Sequence, residues 1–311
     1  MPAVPPDPST VRFTGPWTHR DIHANGIRFH VVETAPDAEG APLVLMLHGF
    51  ADFWWSWRHQ LTALADQGLR PIAVDLRGYG DSDKPPRGYD GWTLAGDIAG
   101  LIRALGYSNA TLVGHADGGL VGWVTAVMHP RLVRSIVAIS SPHPRSLKRS
   151  VLFTRAQRKV WLPEFLNHQK PMLPERQLTR DDGAAVEAMM RLRTGEKFQA
   201  TAEFDDVVQR MRAAVQIPGV AHCAMEYQRW AFRSQWRADG RRFMKIMDQT
   251  IGQPTFQIRG ADDDYILEPT LQRCTRYAPR QTLLTIPEAA HFAHQEQPDA
   301  VIEAIVKAAH A

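Results

Sequence analysis

The chain has 311 residues, 44% of them hydrophobic and 22% charged, and a formal net charge of +3. That composition excludes disordered and fibrous classes and suits one large α/β domain with room for an inserted subdomain. Only Cys223 and Cys274 are present, too few for a disulfide framework and without metal-ligand spacing. No metal or other cofactor is expected, and a reducing, cytoplasmic setting is.

The N-terminal stretch MPAVPPDPSTVRFTGP is Pro-rich and has no apolar centre, so residues 1–20 read as an extended tail rather than a signal peptide. No apolar run approaches the roughly 20 residues that a membrane span needs. Asn25-Gly26 marks a tight hairpin, after which Ile27, Phe29 and Val31 alternate on one face. PLVLMLHG (42–49) is a continuous apolar run, the mark of a strand covered on both faces of a parallel sheet. A helix through WWSWRHQLTALADQG stops at Gly68, and a strand, PIAVDLRGYG (71–80), follows.

A helix over 94–106, a strand at NATLVGH (109–115), an apolar helix stopped by Pro130 and a strand over 132–142 continue the rhythm. It breaks between about 145 and 245, which is helical in character. It resumes with strands in 254–264 and 281–292 and a last helix over 298–310. This order predicts a mainly parallel sheet with right-handed crossovers. The core covers 21–144 and 246–311, and a helical lid covers 145–245.

Charge is unevenly spread. Residues 145–245 hold 20 Lys and Arg against 11 Asp and Glu, a difference of +9 that leaves −6 for the rest. Within them RSLKRSVLFTRAQRKVWL (145–162) sets a basic face beside Leu147, Val151, Leu152, Val160 and Trp161. A lid helix packed over a pocket, with its basic face in solvent, is the favoured reading. Weak peripheral contact with an anionic membrane is the alternative. No motif points to nucleic acid, and a homo-oligomer is left open.

The stretch VGHADGG (113–119) has the form of a nucleophile elbow, a sharp strand-to-helix turn that lifts its central residue above the sheet. That central residue is Ala116, whose methyl group cannot attack anything. Together with LHGFADFWWSWRHQ (47–60), DLRGYGDSDKP (75–85) and HFAHQEQP (291–298), the elbow resembles the α/β-hydrolases, and more narrowly their epoxide hydrolase and haloalkane dehalogenase branch. The similarity runs from about residue 22 to the end.

The resemblance implies the α/β-hydrolase fold with a helical lid, and a set of roles. Backbone N–H groups of Phe50 and Asp117 would form the oxyanion hole. His291 would be the general base, and Asp263, favoured over Asp262 and Asp264, would orient it. SSPHP, after the fourth strand, offers no carboxylate for the alternative acid position. His48, Trp54, Glu164, Tyr227 and Gln228 are placed at the substrate pocket, while His115, His129 and His294 read as structural.

Three departures follow. Epoxide hydrolases need Asp at position 116 and esterases need Ser. Asp117, next to it, is a weak alternative nucleophile, its side chain expected to point elsewhere. The branch protonates the epoxide oxygen with two lid tyrosines, and Glu164 and Gln228 stand at the corresponding positions, with Tyr227 one residue off. Ala51 replaces a proline of the oxyanion loop. The expectation is an epoxide hydrolase-like protein for a small apolar or aromatic epoxide or ester, with an atypical or disabled nucleophile site. The alternative is a non-catalytic small-molecule binding protein on the same scaffold.

Overall fold

A computed structural model describes residues 5–34 and 40–311. Eight strands form one sheet: β1 (Thr18–Ala24), β2 (Ile27–Glu33), β3 (Leu43–Leu47), β4 (Arg70–Val74), β5 (Ala110–His115), β6 (Val133–Ile139), β7 (Thr255–Gly260) and β8 (Gln281–Ile286), in the order β1-β2-β4-β3-β5-β6-β7-β8. The β1–β2 hairpin turns at Asn25 and Gly26, with φ of 45° and 80°, as a two-residue loop of this kind requires. β2 joins β4 antiparallel, and every pair from β4 to β8 is parallel. β3 and β5 are buried along their whole length, because helices cover both faces.

Those helices are α1 (Arg58–Asp66), α2 (Gly91–Ala104) and α3 (Asp117–Met128), with a C-terminal helix that closes the chain. Between β6 and β7 the chain is helical: α4 (Pro144–Phe153), α5 (Arg155–Asn167), α6 (Leu173–Arg193), α7 (Glu196–Gln199), α8 (Ala202–Val215), α9 (Val220–Arg233) and α10 (Ala238–Ile246). α6 is interrupted at Arg180–Gly183, where the backbone leaves helical angles. Three short or terminal helices complete the fold: α11 (Glu268–Gln272), α12 (Ala293–Glu296) and α13 (Pro298–Ala309). α2 packs against α3, and α1 against α13. No helix among the described residues is long and apolar enough to cross a membrane.

The parallel register aligns Leu47 with Gly114, Ile139 with His115 and Ile258, and Gly260 with Ile286. The loops that leave these strands therefore emerge at one edge of the sheet, the place where open α/β sheets build their sites. The N-terminal segment differs from the expected free tail. Pro8–Val11 forms a 3-10 turn, Val11 is buried, and Phe13 packs edge-on against Trp55. β1 also begins inside the range read as tail. Residues 1–4 of that range lie outside the described residues.

Candidate active site

The elbow is fully formed around its methyl group. β5 ends at His115, Ala116 takes φ 45° and ψ −113°, and α3 starts at Asp117. Such a backbone is strained for any residue with a Cβ. Neighbours hold it: the Ala116 N–H donates to the Ile139 carbonyl at 3.1 Å, and the Ser141 hydroxyl donates to the Ala116 carbonyl at 2.6 Å. Two glycines let the turn close. A Cβ on Gly114 would lie 2.4 Å from the Gly119 nitrogen, and one on Gly118 would lie 2.2 Å from the Leu47 carbonyl oxygen.

The loops after β7 and β8 bring Asp263 and His291 together. His291 Nδ1 lies 3.2 Å from Asp263 Oδ2, and both side chains are buried. Asp263 is tightly held: Oδ2 also accepts from the Ser140 hydroxyl at 2.7 Å, and Oδ1 accepts from the N–H groups of Tyr265 at 2.9 Å and Ile266 at 3.0 Å. Burial pushes its carboxyl up, but the charge of His291 and these hydrogen bonds outweigh burial and keep it below the ordinary aspartate range. Asp262 and Asp264 do not share these contacts. With Nδ1 committed to Asp263, Nε2 is the ring nitrogen left to act on a ligand.

His291 and Ala116 face a cavity of about 510 Å³, lined mainly by apolar side chains from α3, the Pro142–Leu152 stretch, α5 and α9. Phe50 is on its wall, stacked on His168 at 5.1 Å. The Phe50 and Asp117 N–H groups have no hydrogen-bond acceptor among the described residues. Ala51 takes φ 54°, which a proline ring forbids, so this oxyanion loop has a backbone that the family's proline does not produce.

Asp117 departs from its expected direction. Its side chain lines the cavity, and Oδ2 accepts from Gln228 Nε2 at 2.6 Å. Burial raises its carboxyl to about 6. The sharp turn at Ala116 starts α3 at an angle that sends the side chain inward. Gln228 and Glu164 also line the cavity, and Glu164 pairs with Arg193, whose guanidinium lies 3.6 Å from the Tyr265 ring centroid. Arg193, Tyr265 and His168 are cavity residues that sequence reasoning did not find. Only Tyr265, two residues after Asp263, carried a local signal.

One pocket expectation is narrowed and two need correction. Tyr227 touches the cavity wall, but its hydroxyl is spent on the Arg77 carbonyl at 2.8 Å, so it offers no proton there. His48 is buried beneath the loop, its Nδ1 on the Gly49 carbonyl and its Nε2 accepting from the Leu76 N–H. Trp54 is also buried, its indole N–H on the Val11 carbonyl at 2.8 Å. Neither His48 nor Trp54 lines the cavity.

Beneath His291 lies a second buried polar group. His115 Nε2 lies 3.1 Å from the His291 carbonyl oxygen. Asp52, His115 and His294 each bring one ligand-type atom within 4.8 Å of the others. Asp52 Oδ2, His115 Nδ1 and both ring nitrogens of His294 have no hydrogen-bond partner among the described residues. Burial raises the Asp52 carboxyl to about 7 and holds both imidazoles well below the ordinary histidine range.

Residues 42–298 match the family model for the alpha/beta hydrolase fold, and the chain belongs to that family. Within it the chain is epoxide hydrolase-like. It is 31% identical over 291 residues to the AB hydrolase superfamily protein YfhM of Bacillus subtilis, covering 92% of this chain and 96% of that one. Epoxide hydrolase 4 of Mus musculus is 31% identical over 311 residues, covering 96% of this chain and 80% of its own. The crystal structure of Bacillus megaterium epoxide hydrolase in complex with an inhibitor superposes with a TM-score of 0.81 at 27% identity, covering 94% of this chain and 100% of that one.

Proposed function

We propose that the chain hydrolyses a small apolar or aromatic epoxide or ester by direct attack of water. His291 is the base, Asp263 orients it, and Ala116 leaves the space that a covalent nucleophile would fill. One observation carries this reading: the hydrogen-bonded His291–Asp263 pair opens onto the same cavity as an elbow that keeps its strained turn.

In this scheme a water beside the Ala116 methyl gives a proton to His291 Nε2 as its oxygen attacks a ring carbon of the epoxide. The C–O bond breaks, and its electron pair goes to the departing oxygen, which the Phe50 and Asp117 N–H groups receive. Asp117, whose burial keeps it protonated up to about pH 6, donates the proton that completes the diol. His291 then returns its proton through solvent to Asp117, so epoxide plus water gives diol and the enzyme is unchanged. General-base catalysis contributes roughly 10²–10⁴-fold, so turnover is slow or confined to activated substrates. A cytoplasmic setting belongs to the same reading, both cysteines being buried and free.

The test is turnover of an aryl epoxide and an activated aryl ester by the chain, by His291→Ala and by Ala116→Asp. Activity that His291→Ala abolishes is the expected result. A single turnover in oxygen-18 water then puts the label in the first product; an Asp117 ester would put it in the protein instead. Activity in Ala116→Asp alone would mean that the missing carboxylate is the whole defect. Silence from all three favours the second reading, a non-catalytic binding protein, which Ala116 and the mainly apolar cavity recommend.

A further inference from the structure

The rim of the cavity mouth is apolar where most of the surface is not. Leu152 and Trp236 line the cavity yet stand 53% and 65% exposed, and Phe153, beside them, is 75% exposed. Lys148, one helical turn before Leu152, donates to Gln235 Oε1 at 2.6 Å. That contact holds α4 against the turn Ser234–Trp236 and gathers the three apolar side chains on one rim. Leu166, also exposed, extends the rim along α5, whose Leu162 and Phe165 line the cavity. Single exposed apolar residues are ordinary, but a set around a cavity mouth marks a contact surface.

Along α4 and most of α5 the charge has one sign. From Pro144 to Pro163 the sequence holds six Lys and Arg and no Asp or Glu. Arg145 pairs with Asp248. Lys148, Arg149, Arg155, Arg158 and Lys159 are exposed and make no ion pair among the described residues. The Arg149 guanidinium lies over the Phe153 ring at 5.6 Å. Of the apolar residues that the sequence sets beside this basic face, Leu147, Val151 and Trp161 pack inward with Ile266 and Leu271. The outward apolar surface at the cavity mouth is therefore Leu152, Phe153 and Trp236, beside the unpaired cations of α4 and α5.

We propose that this rim docks on an anionic lipid bilayer, with Leu152, Phe153 and Trp236 at the headgroup–acyl boundary and the cavity mouth facing the lipid. Apolar side chains in a cationic frame are the chemistry that seats a protein there. An apolar ligand then passes between bilayer and cavity without crossing water. The docking does not depend on turnover, and it stands or falls separately from the hydrolytic reading.

Sedimentation of the full chain with phosphatidylcholine vesicles, with and without phosphatidylglycerol, tests it. Two double variants are compared, Phe153→Asp with Trp236→Asp and Arg155→Glu with Lys159→Glu. All four sites are exposed, and a melting curve checks that each variant is folded. The chain is expected to bind the anionic vesicles at about 50 mM salt and to leave them in high salt, with little binding to the neutral ones. Each double variant lowers partitioning roughly tenfold or more. No binding to anionic vesicles, equal binding to both kinds, or unchanged binding by the apolar double variant would overturn the proposal. A dimer that Phe153→Asp with Trp236→Asp dissolves, without any vesicle binding, would assign the rim to a second copy of the chain.

Discussion

The two walls of the cavity are furnished differently. The loops after β7 and β8 hold His291 and Asp263, a carboxylate fixed by four hydrogen bonds that include one from Ser140 after β6. The elbow and the helical insert, where the family keeps a nucleophile and two tyrosines, present a methyl group, an amide and an ion-paired carboxylate. In the proposed reading, the His291–Asp263 pair and the nucleophile position are thus separable parts. The first is pinned by sheet register, since the Asp263 and His291 loops both leave paired strands. The second rests on single side chains that can change without disturbing the frame around them.

Three substitutions probe that contrast. Asp263→Asn should cost most, about 10³–10⁴-fold in turnover, because the amide favours the wrong His291 tautomer. A loss below tenfold would make the well-furnished wall a structural feature only. Asp117→Asn is expected to cost less, roughly 10–10²-fold, and to change the pH profile. A proton donor raised to about 6 is active below that pH, so the rate falls as pH rises through about 6, and the Asn variant lacks this limb. A falling limb that persists unchanged in the Asn variant would mean that Asp117 is not the proton donor.

The third effect, on stability and not on rate, concerns Asp52, below the furnished wall. Unfolded, its carboxyl loses its proton near 3.8; folded, it keeps it to about 7. Between those values the unfolded chain binds fewer protons, so stability falls as pH rises. Asp52→Asn removes this loss, which amounts to about 3 kcal/mol between pH 5 and 8. Melting curves at the two pH values check it, and an equal slope in both proteins would contradict the buried-acid account.

Much of the fold is legible because its strands are apolar runs and its helices stop at glycine or proline. β1 escaped because only Ile22 and Ala24 of its seven residues are buried, which leaves no period to read. The elbow and the pairing of His291 with Asp263 could be found from short local motifs. The cavity walls could not. Trp54 was misassigned because its partner, the Val11 carbonyl, lies 43 residues away in a segment that looked like tail. Tyr227 does line the cavity, but the engagement of its hydroxyl could not be foreseen, because the Arg77 carbonyl that takes it is 150 residues away. Arg193 enters the site only through tertiary packing. Asp117 was read in the wrong direction because a helix start usually sends its first carboxylate toward solvent, and no propensity encodes the angle that Ala116 imposes.

Ala116 also has a bearing on how readily this protein can be changed. The costly part of a nucleophile site is its backbone turn, which here is already held by Ser141, Ile139 and two glycines. An aspartate or a serine at position 116 requires one residue change and no new turn. The scaffold thus already holds the turn that either an aspartate or a serine nucleophile would need, which makes it a natural starting point for selecting either one from the same parent.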